Sequence, residues 1–539
     1  MLHSVANLRR EFVACVALLL TCLLLGGSSQ NGLLVTFLVQ LASIPALVIA
    51  LNGLMQADGG TIRRLRVPLV LAALLLLVPL IQLLPDPWTA GLVAVPATPG
   101  GIPMLAHPAF TVDPAATVRA ALAMIPCITV FLLAVQLGRE ERQRLVVTVL
   151  GVAGVSVILG ALQIFGGPSS VLRPYVFTNA EDAVGFFANR NHLAALLYSA
   201  LVFAGAFLLD AMGATQPSAG SDPHSKRNWS SIVTVIAMGA LMIGLLAGEV
   251  ITRSRGGLIL TVVGVFGLGL LTLTERGGST RSILARAVTG ALVLAGIGAA
   301  LSVIASPQVA ARLLESVSRD PLADSRIQFA RNTYALAWSF LPFGSGLGTF
   351  TAVYPTVERT VELLPKTFIN HAHNDFAEAW LETGYLGVGV MAVFVGWFLA
   401  RAFKVLLFRP GGTVPVELRL ERASVLVIGL LLAHAAVDYH LRTPAIAAVF
   451  ALAIALLAGV PSPKRAAHAQ SSRGRHTTRT LPENVVANPF QLPQSVTQVA
   501  AAASVPPPAA GIERWGTDIA WPDEWTKPST VKPKPPTAG

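Results

Sequence analysis

Charge is what this sequence lacks first. Of its 539 residues only 12% are charged, against about 25% in a soluble globular protein. That leaves too few polar side chains to clothe a soluble surface, and 53% of the residues are hydrophobic instead. Cysteine is scarce as well. Cys15, Cys22 and Cys127 all lie inside apolar blocks, with no spacing that would build a disulfide framework or a zinc site. An H-E-x-x-H pair is absent, so the zincin signature is excluded. The glycine-rich stretch "PFGSGLGTF" at 342–350 lacks the G-x-S-x-G of a serine nucleophile and reads as a turn beside a site. The net charge of +11 would suit nucleic acid, but the Lys and Arg residues sit in short loops and in the tail, where they read as an orientation signal.

What is present is a succession of apolar blocks of about 17–25 residues, the length that crosses a bilayer as a helix. We read about twelve spans, at 11–27, 32–52, 67–85, 117–137, 144–165, 187–210, 231–252, 256–273, 283–305, 379–403, 423–439 and 442–459. The expected fold is therefore all-α, a polytopic membrane protein. The first block resembles a signal peptide, but no small-x-small cleavage site follows, and it reads as an uncleaved first helix.

Loop charge orients the chain. Arg9 and Arg10, Arg63 to Arg66, Arg139 to Arg144, Lys226 and Arg227, Arg276 and Arg281, Arg401 to Arg422, and Lys464 onward fall at every second connection. These are the expected cytoplasmic loops, with both termini inside. Loop 86–116, which has no Lys or Arg before Arg119, and the long loop 306–378 then face outward. Some arginines break the rule on that side: Arg190 in "FFANRNHLAALL", Arg253 and Arg255 in "EVITRSRGGLIL", and Arg312, Arg319, Arg326 and Arg331 in the long loop. A snorkelling helix end would explain any one of them. Together they suit an anionic ligand at the membrane boundary.

The long loop ends in "FINHAHNDFAEAWLETGYLG", residues 368–387. Its H-x-H could share a face on an extended segment, but no third metal ligand stands at a diagnostic spacing, and no metal is expected. An acid–base site fits better: a histidine can take a proton from a hydroxyl near neutral pH. Arginines nearby would grip a diphosphate and stabilise its developing charge as it leaves. A structural hydrogen bond to the backbone is the simpler reading for His371. Asp375 and Glu378, three apart on a helix, share a face and would hold a sugar hydroxyl or pair with an arginine; Glu382 could do likewise.

His373-Asn374, nine residues, then Gly384-Tyr385-Leu386-Gly387 resembles the H-N-x9-G-x-x-G signature of the O-antigen ligase and polymerase superfamily. "GFFANRNHLAALL", "TRSRGGLI" and "DSRIQFARNTYALAWSFLPFGSGLGTF" are similar to three further segments of that family, in the same order, so the resemblance covers 185–400. It implies a glycosyltransferase-C-like bundle of about twelve helices with a large periplasmic loop, here 306–378, within a transferase domain spanning 1–460. It implies a metal-independent, inverting transferase without a cofactor, set in the bacterial inner membrane with its active site periplasmic. The reaction implied moves a glycan from undecaprenyl pyrophosphate to an acceptor hydroxyl on lipid A–core or on another glycan. By the same resemblance His373 is the catalytic histidine, Asn374 orients it, Arg255 and Arg326 bind the diphosphate with Arg190 a further candidate, and Gly384 and Gly387 allow close packing. A polymerase of the same superfamily is the alternative within this class. A lipid-linked glycan flippase is the alternative outside it, although the polar residues gather at one boundary rather than at the midplane.

From 461 to 539 the composition turns to Pro, Ala, Ser, Thr and basic residues, as in "SVPPPAAG". Such a segment cannot bury enough apolar area to fold alone and reads as a disordered cytoplasmic tail. Trp515, Trp521 and Trp525 within it would suit docking to a cytoplasmic partner or to the membrane surface, and chance composition explains them as well.

Overall fold

The computed structural model describes residues 9–28, 34–85, 109–214, 229–274, 321–358, 369–408 and 414–459. The expected span 283–305, most of loop 86–116 and the tail from 461 lie outside the described residues. Among the described residues twelve α-helices longer than a single turn are seen, besides one turn at Phe350–Val353. They are α1 (Arg10–Leu25), α2 (Leu34–Met55), α3 (Gly59–Gln82), α4 (Pro114–Ala134), α5 (Arg139–Phe165) and α6 (Arg190–Ala214). They continue as α7 (Trp229–Thr252), α8 (Arg255–Thr274), α9 (Pro321–Ala337), α10 (Asp375–Leu407), α11 (Val416–Ala435) and α12 (Pro444–Leu457). Among the described residues no strand forms, and the fold is all-α. Among the described residues eight helices are long and apolar enough to cross a membrane: α2 to α8 and α10. α1 and α12 have 16 and 14 residues, and α11 carries Glu417, Arg419, Glu421 and Arg422 in its first two turns.

Several helices start earlier than hydropathy alone places them, because they run through their basic collars. α3 begins at Gly59, where the Asp58 carboxylate accepts from the amides of Gly60 and Thr61, so Arg63, Arg64 and Arg66 are helical rather than in a loop. α5 begins at Arg139. Its Arg142 is 2% exposed and donates to the carbonyls of Val135, Leu137 and Ala455. That arginine ties helix ends together rather than facing water. Asp113 caps α4 through the Ala116 amide, with Pro114 in the first helical position.

α6 is the central helix. Its middle, "LAALLYSALVFAGA", is buried almost throughout, and it packs on α7, α8 and α11. A Cβ at Gly257 of α8 would overlap Ala194 of α6, so the glycine lets these helices approach closely.

The turns that carry polar residues meet at one end of the bundle. The Ala188 amide donates to the Gly27 carbonyl past α1, and that of Ala445, at the start of α12, donates to Gly26. Ala183 binds Ile251 near the end of α7, and the Asn374 side chain donates to the Ala436 carbonyl past α11. Gln82, the last residue of α3, donates to the carbonyls of Phe343 and Glu382. The segment expected to be helical at 324–340 is α9 with a 3-10 turn at Trp338–Phe340. It packs on α10 at this same end.

Candidate functional site

α10 organises the site, and it is broken. Gly384 has φ +54° and ψ −146° within it. The first nine residues, Asp375 to Thr383, are thus a separate short helix, not part of a continuous span from 379. A Cβ at Gly384 would fall on the Pro342 carbonyl and the Gly344 amide, and a left-handed φ disfavours any other residue. The break frees carbonyls that the glycine-rich loop satisfies. Ser345 N donates to Leu381 O at 2.9 Å, Gly346 N to Glu382 O at 3.0 Å, and Tyr385 N to Pro342 O at 2.9 Å. "PFGSGLG" is therefore the backbone bracket of α10. Gly387 lies against Thr383, whose side chain a Cβ would meet.

Asn374 is the N-cap of α10, accepting from the Ala377 amide at 3.0 Å, while its amide nitrogen donates to Ala436 O at 2.9 Å. Both bonds go to backbone. Asn374 thus fixes His373 through the chain rather than by touching its ring. His373 itself has φ +51°, a strained conformation for a residue with a Cβ. Its Nδ1 stands 3.6 Å from Asp438 Oδ1 in the turn between α11 and α12. Asp438 is buried, and the Asn191 side chain donates a short hydrogen bond to its Oδ2. Burial alone would push this carboxyl up. The contact and charge of His373, then of His192 and Arg326, outweigh burial and hold it well below the usual carboxylate range.

Tyr439 lies between the two histidines of the H-x-H stretch, its ring centroid 5.0 Å from His373 and 4.2 Å from His371. Burial first, and then the Asp438 charge, push its phenol up to about 12, so it remains a neutral donor. His371 turns the other way. Its Nδ1 is 2.8 Å from Glu378 Oε1, and Glu378 Oε2 accepts from the Ala372 amide at 2.8 Å. The ring's partner is thus a carboxylate rather than the expected backbone group, and the same carboxylate holds the Ala372 turn.

The carboxylates of α10 converge on one arginine. Arg442, in the 3-10 turn before α12, reaches Asp375 at 2.9 Å through Nε, and Glu378 at 3.1 Å and Glu382 at 3.0 Å through Nη1. Spacings of three and four residues put the three acids on one helix face. Burial would lower the Arg442 guanidinium, but the three carboxylates outweigh it and push it above its ordinary value. Sequence reasoning missed both Asp438 and Arg442. The rule that flagged the other outward arginines applies to Arg442 in "DYHLRTP" at 438–444 but not to Asp438, and the partners of neither are near in sequence.

The expected diphosphate arginines sit on neighbouring turns. Arg190 opens α6, and its Nη1 pairs with Asp182 Oδ2 at 2.8 Å; Arg253, with φ +54°, reaches Asp182 Oδ1 at 3.5 Å. Arg255 is the exposed first residue of α8. Ser254 before it caps α8 by accepting from the Gly257 amide, and donates to Asn191 Oδ1 at 2.9 Å. The "TRSR" turn is thereby linked through Asn191 to Asp438. Arg326 on α9 acts on Asp438 and Tyr439 through its charge. Arg190 and Arg253 thus meet at Asp182, while Arg442 gathers Asp375, Glu378 and Glu382, and Tyr439 stands beside His373.

Beside Asp375 lies a cavity of about 400 Å3. His371, Asp375, Tyr439 and Arg442 form its polar end, and apolar residues of α3, α4, α10, α11 and α12 form its walls.

No curated protein matches the chain at a significant level. Residues 240–392 match the family model described as O-antigen ligase. That stretch contains the "TRSR" turn, Arg326, the glycine-rich bracket, the His371–Glu382 segment and the Gly384 break, which is the frame on which the rest of the site is hung. Over residues 240–392 the chain is thus similar to the O-antigen ligase family.

Proposed function

We propose that this chain transfers a glycan from undecaprenyl pyrophosphate to an acceptor hydroxyl, in the inverting manner and without a metal, at the periplasmic face of the bacterial inner membrane. The observation that carries the reading is the contact between His373 and the buried Asp438 carboxylate. With Nδ1–H turned toward Asp438, the other ring nitrogen can take the acceptor's proton. Asp438 then stabilises the imidazolium that forms, as a carboxylate held in its charged state does. The acceptor oxygen bonds to the anomeric carbon while the bond from that carbon to the diphosphate oxygen breaks. The electron pair leaves with the undecaprenyl pyrophosphate. A single displacement of this kind inverts the anomeric centre.

Arg255 and Arg326, with Arg190 and Arg253 beside them, would neutralise the departing diphosphate. Asp182 holds Arg190 and Arg253 in place, and their release from it toward an incoming diphosphate is part of the reading. Ligase action, with lipid A–core as acceptor, is the reading adopted; polymerisation uses the same chemistry with a second glycan.

The test is transfer by purified protein reconstituted with undecaprenyl-pyrophosphate-linked glycan and lipid A–core in the presence of EDTA. His373→Ala should lower the rate by at least about 100-fold, the lower end of general-base effects, with normal membrane insertion. Arg255→Lys should also lower it, since an ammonium cannot make a paired guanidinium contact. Wild-type rates in His373→Ala would refute the assignment.

A further inference from the structure

The loop between α5 and α6 is built the wrong way round for water. Across 166–182 its polar groups turn inward and its large apolar side chains turn out. Val171 is 97% exposed, Val176 94% and Phe177 69%. One exposed valine would be ordinary, but several in one loop form a patch that calls for an apolar partner. The loop is held from inside by hydrogen bonds. Gln163, buried near the end of α5, donates to the carbonyls of Leu172 and Gly185 at 3.0 and 2.8 Å. Its oxygen accepts from the amides of Val184 and Gly185. Arg173 donates to the carbonyls of Asn179 and Asp182 at 3.1 and 2.9 Å, and the Tyr175 hydroxyl donates to Leu25 O, at the end of α1, at 2.9 Å. The apolar side chains are thus presented on a fixed frame.

α5 shows what covers them. It is long and apolar enough to cross a membrane. Val155, Ile158, Leu162 and Phe165 are exposed along it at spacings of three and four, a stripe that faces lipid in a helix of this kind. The stripe runs out at Phe165, and the apolar residues of the loop follow in the chain. Charge agrees. Between Phe165 and Glu181 the one charged residue is Arg173, and its guanidinium is committed to backbone carbonyls. An uncharged apolar face continuous with a lipid-facing stripe suits the boundary of a leaflet, whereas a water-borne protein partner would be met by a polar rim.

The same loop holds two cations of the site. Asp182 pairs with Arg190 at 2.8 Å and with Arg253 at 3.5 Å, and Asn179 Oδ1 accepts from the Arg190 amide at 2.9 Å. Whatever fixes the depth of the loop therefore fixes the depth of these arginines. We propose that loop 166–182 dips Val171, Val176 and Phe177 into the lipid leaflet at this end of the bundle, and so holds Asp182, Arg190 and Arg253 at the depth of the lipid phosphates. The anchoring stands without the transferase reading. Its use, which is to meet a lipid-linked diphosphate at its own depth, rests on that reading.

The test measures depth first. Val171→Cys, Val176→Cys, Phe177→Cys and Glu181→Cys would each carry a nitroxide label in lipid nanodiscs. Collision with oxygen reports the acyl region, and collision with a water-soluble nickel chelate reports water. Protein with its native Cys15, Cys22 and Cys127 alone sets the baseline. Labels at 171, 176 and 177 should collide mainly with oxygen, and the label at exposed Glu181 mainly with the chelate. Chelate contact at the three apolar positions equal to that at Glu181 would overturn the proposal. So would labels there shielded from both probes, since protein, either a second copy or another segment of the chain, would then cover the patch.

The use of the anchor is read from binding of undecaprenyl pyrophosphate in nanodiscs. In the double variant Val176→Gln with Phe177→Gln, which adds no charge, affinity should fall about tenfold or more, with thermal unfolding in detergent as in wild type. Val176→Leu with Phe177→Leu should keep the wild-type affinity. Unchanged affinity in the glutamine variant would overturn the positioning of the arginines. Wild type that inserts the loop yet binds no undecaprenyl pyrophosphate would support the anchor and count against the transferase reading instead.

Discussion

Two residues in one turn, Asp438 and Arg442, carry much of the site's electrostatics, and their replacement should fail in different ways. Asp438→Asn keeps the shape of the turn but removes the charge facing His373, so kcat should fall by more than about tenfold while KM for either lipid changes little. Wild-type kcat in that variant would remove Asp438 from the mechanism. The pH dependence has a definite sign. The Asp438 carboxyl is held below its ordinary value of 3.8, so its contribution to stability is complete above that value and is lost as pH falls through the depressed one. The thermal-stability gap between wild type and Asp438→Asn should therefore stay constant down to about pH 4 and close only below it. A gap that closes between neutral and pH 5 would contradict the assignment. Arg442→Met leaves three carboxylates facing one another without their cation. Breaking a buried pair from one side costs about 3–5 kcal/mol, so this variant should show a large fall in Tm or fail to accumulate. Glu382→Gln removes one of the excess charges and should be far milder. Equal effects would show that the acids are not in excess. Of these residues the sequence displays His373, Asn374, Asp375 and Glu378 plainly, because they cluster within 373–378 at the mouth of an apolar block. Asp438 and Arg442 are harder to read, because their partners lie some sixty residues away and only the fold brings them together.

At the level of the element, α10 and its bracket decide whether those residues meet. Gly384→Ala forces a Cβ into the Pro342 carbonyl and holds an L-residue in the left-handed region, which alone costs about 1–3 kcal/mol. Transfer should drop sharply even where protein still inserts, because the Leu381 and Glu382 carbonyls would lose the Ser345 and Gly346 amides. Full activity in Gly384→Ala would show that the break is dispensable. This break is not legible as a break in the sequence. Gly384 sits inside an apolar run that continues with helical character on both sides, and one glycine there also suits close helix packing. The helices themselves are legible because each apolar block is long enough to stand out. Their ends are less so, since α3 and α5 extend through arginines that hydropathy assigns to loops.

Across the molecule, among the described residues, Arg190 and Arg253 gather at Asp182, and the acids of α10 gather at Arg442. On the proposed reading His373 would take the acceptor's proton between them, in a site built from both halves of the chain. The tail from 461 takes no part in it as we read the chemistry. Deleting residues 462–539 should leave transfer in reconstituted membranes unchanged, and a dead truncated protein would contradict that. The most direct measurement of the central claim is glycan transfer by reconstituted wild-type and His373→Ala protein, given undecaprenyl-pyrophosphate-linked glycan, lipid A–core and EDTA. Glycosylated lipid A–core in the wild type, lost in His373→Ala, is the predicted result. Equal product from both proteins, or none from wild type that binds both lipids, would contradict it.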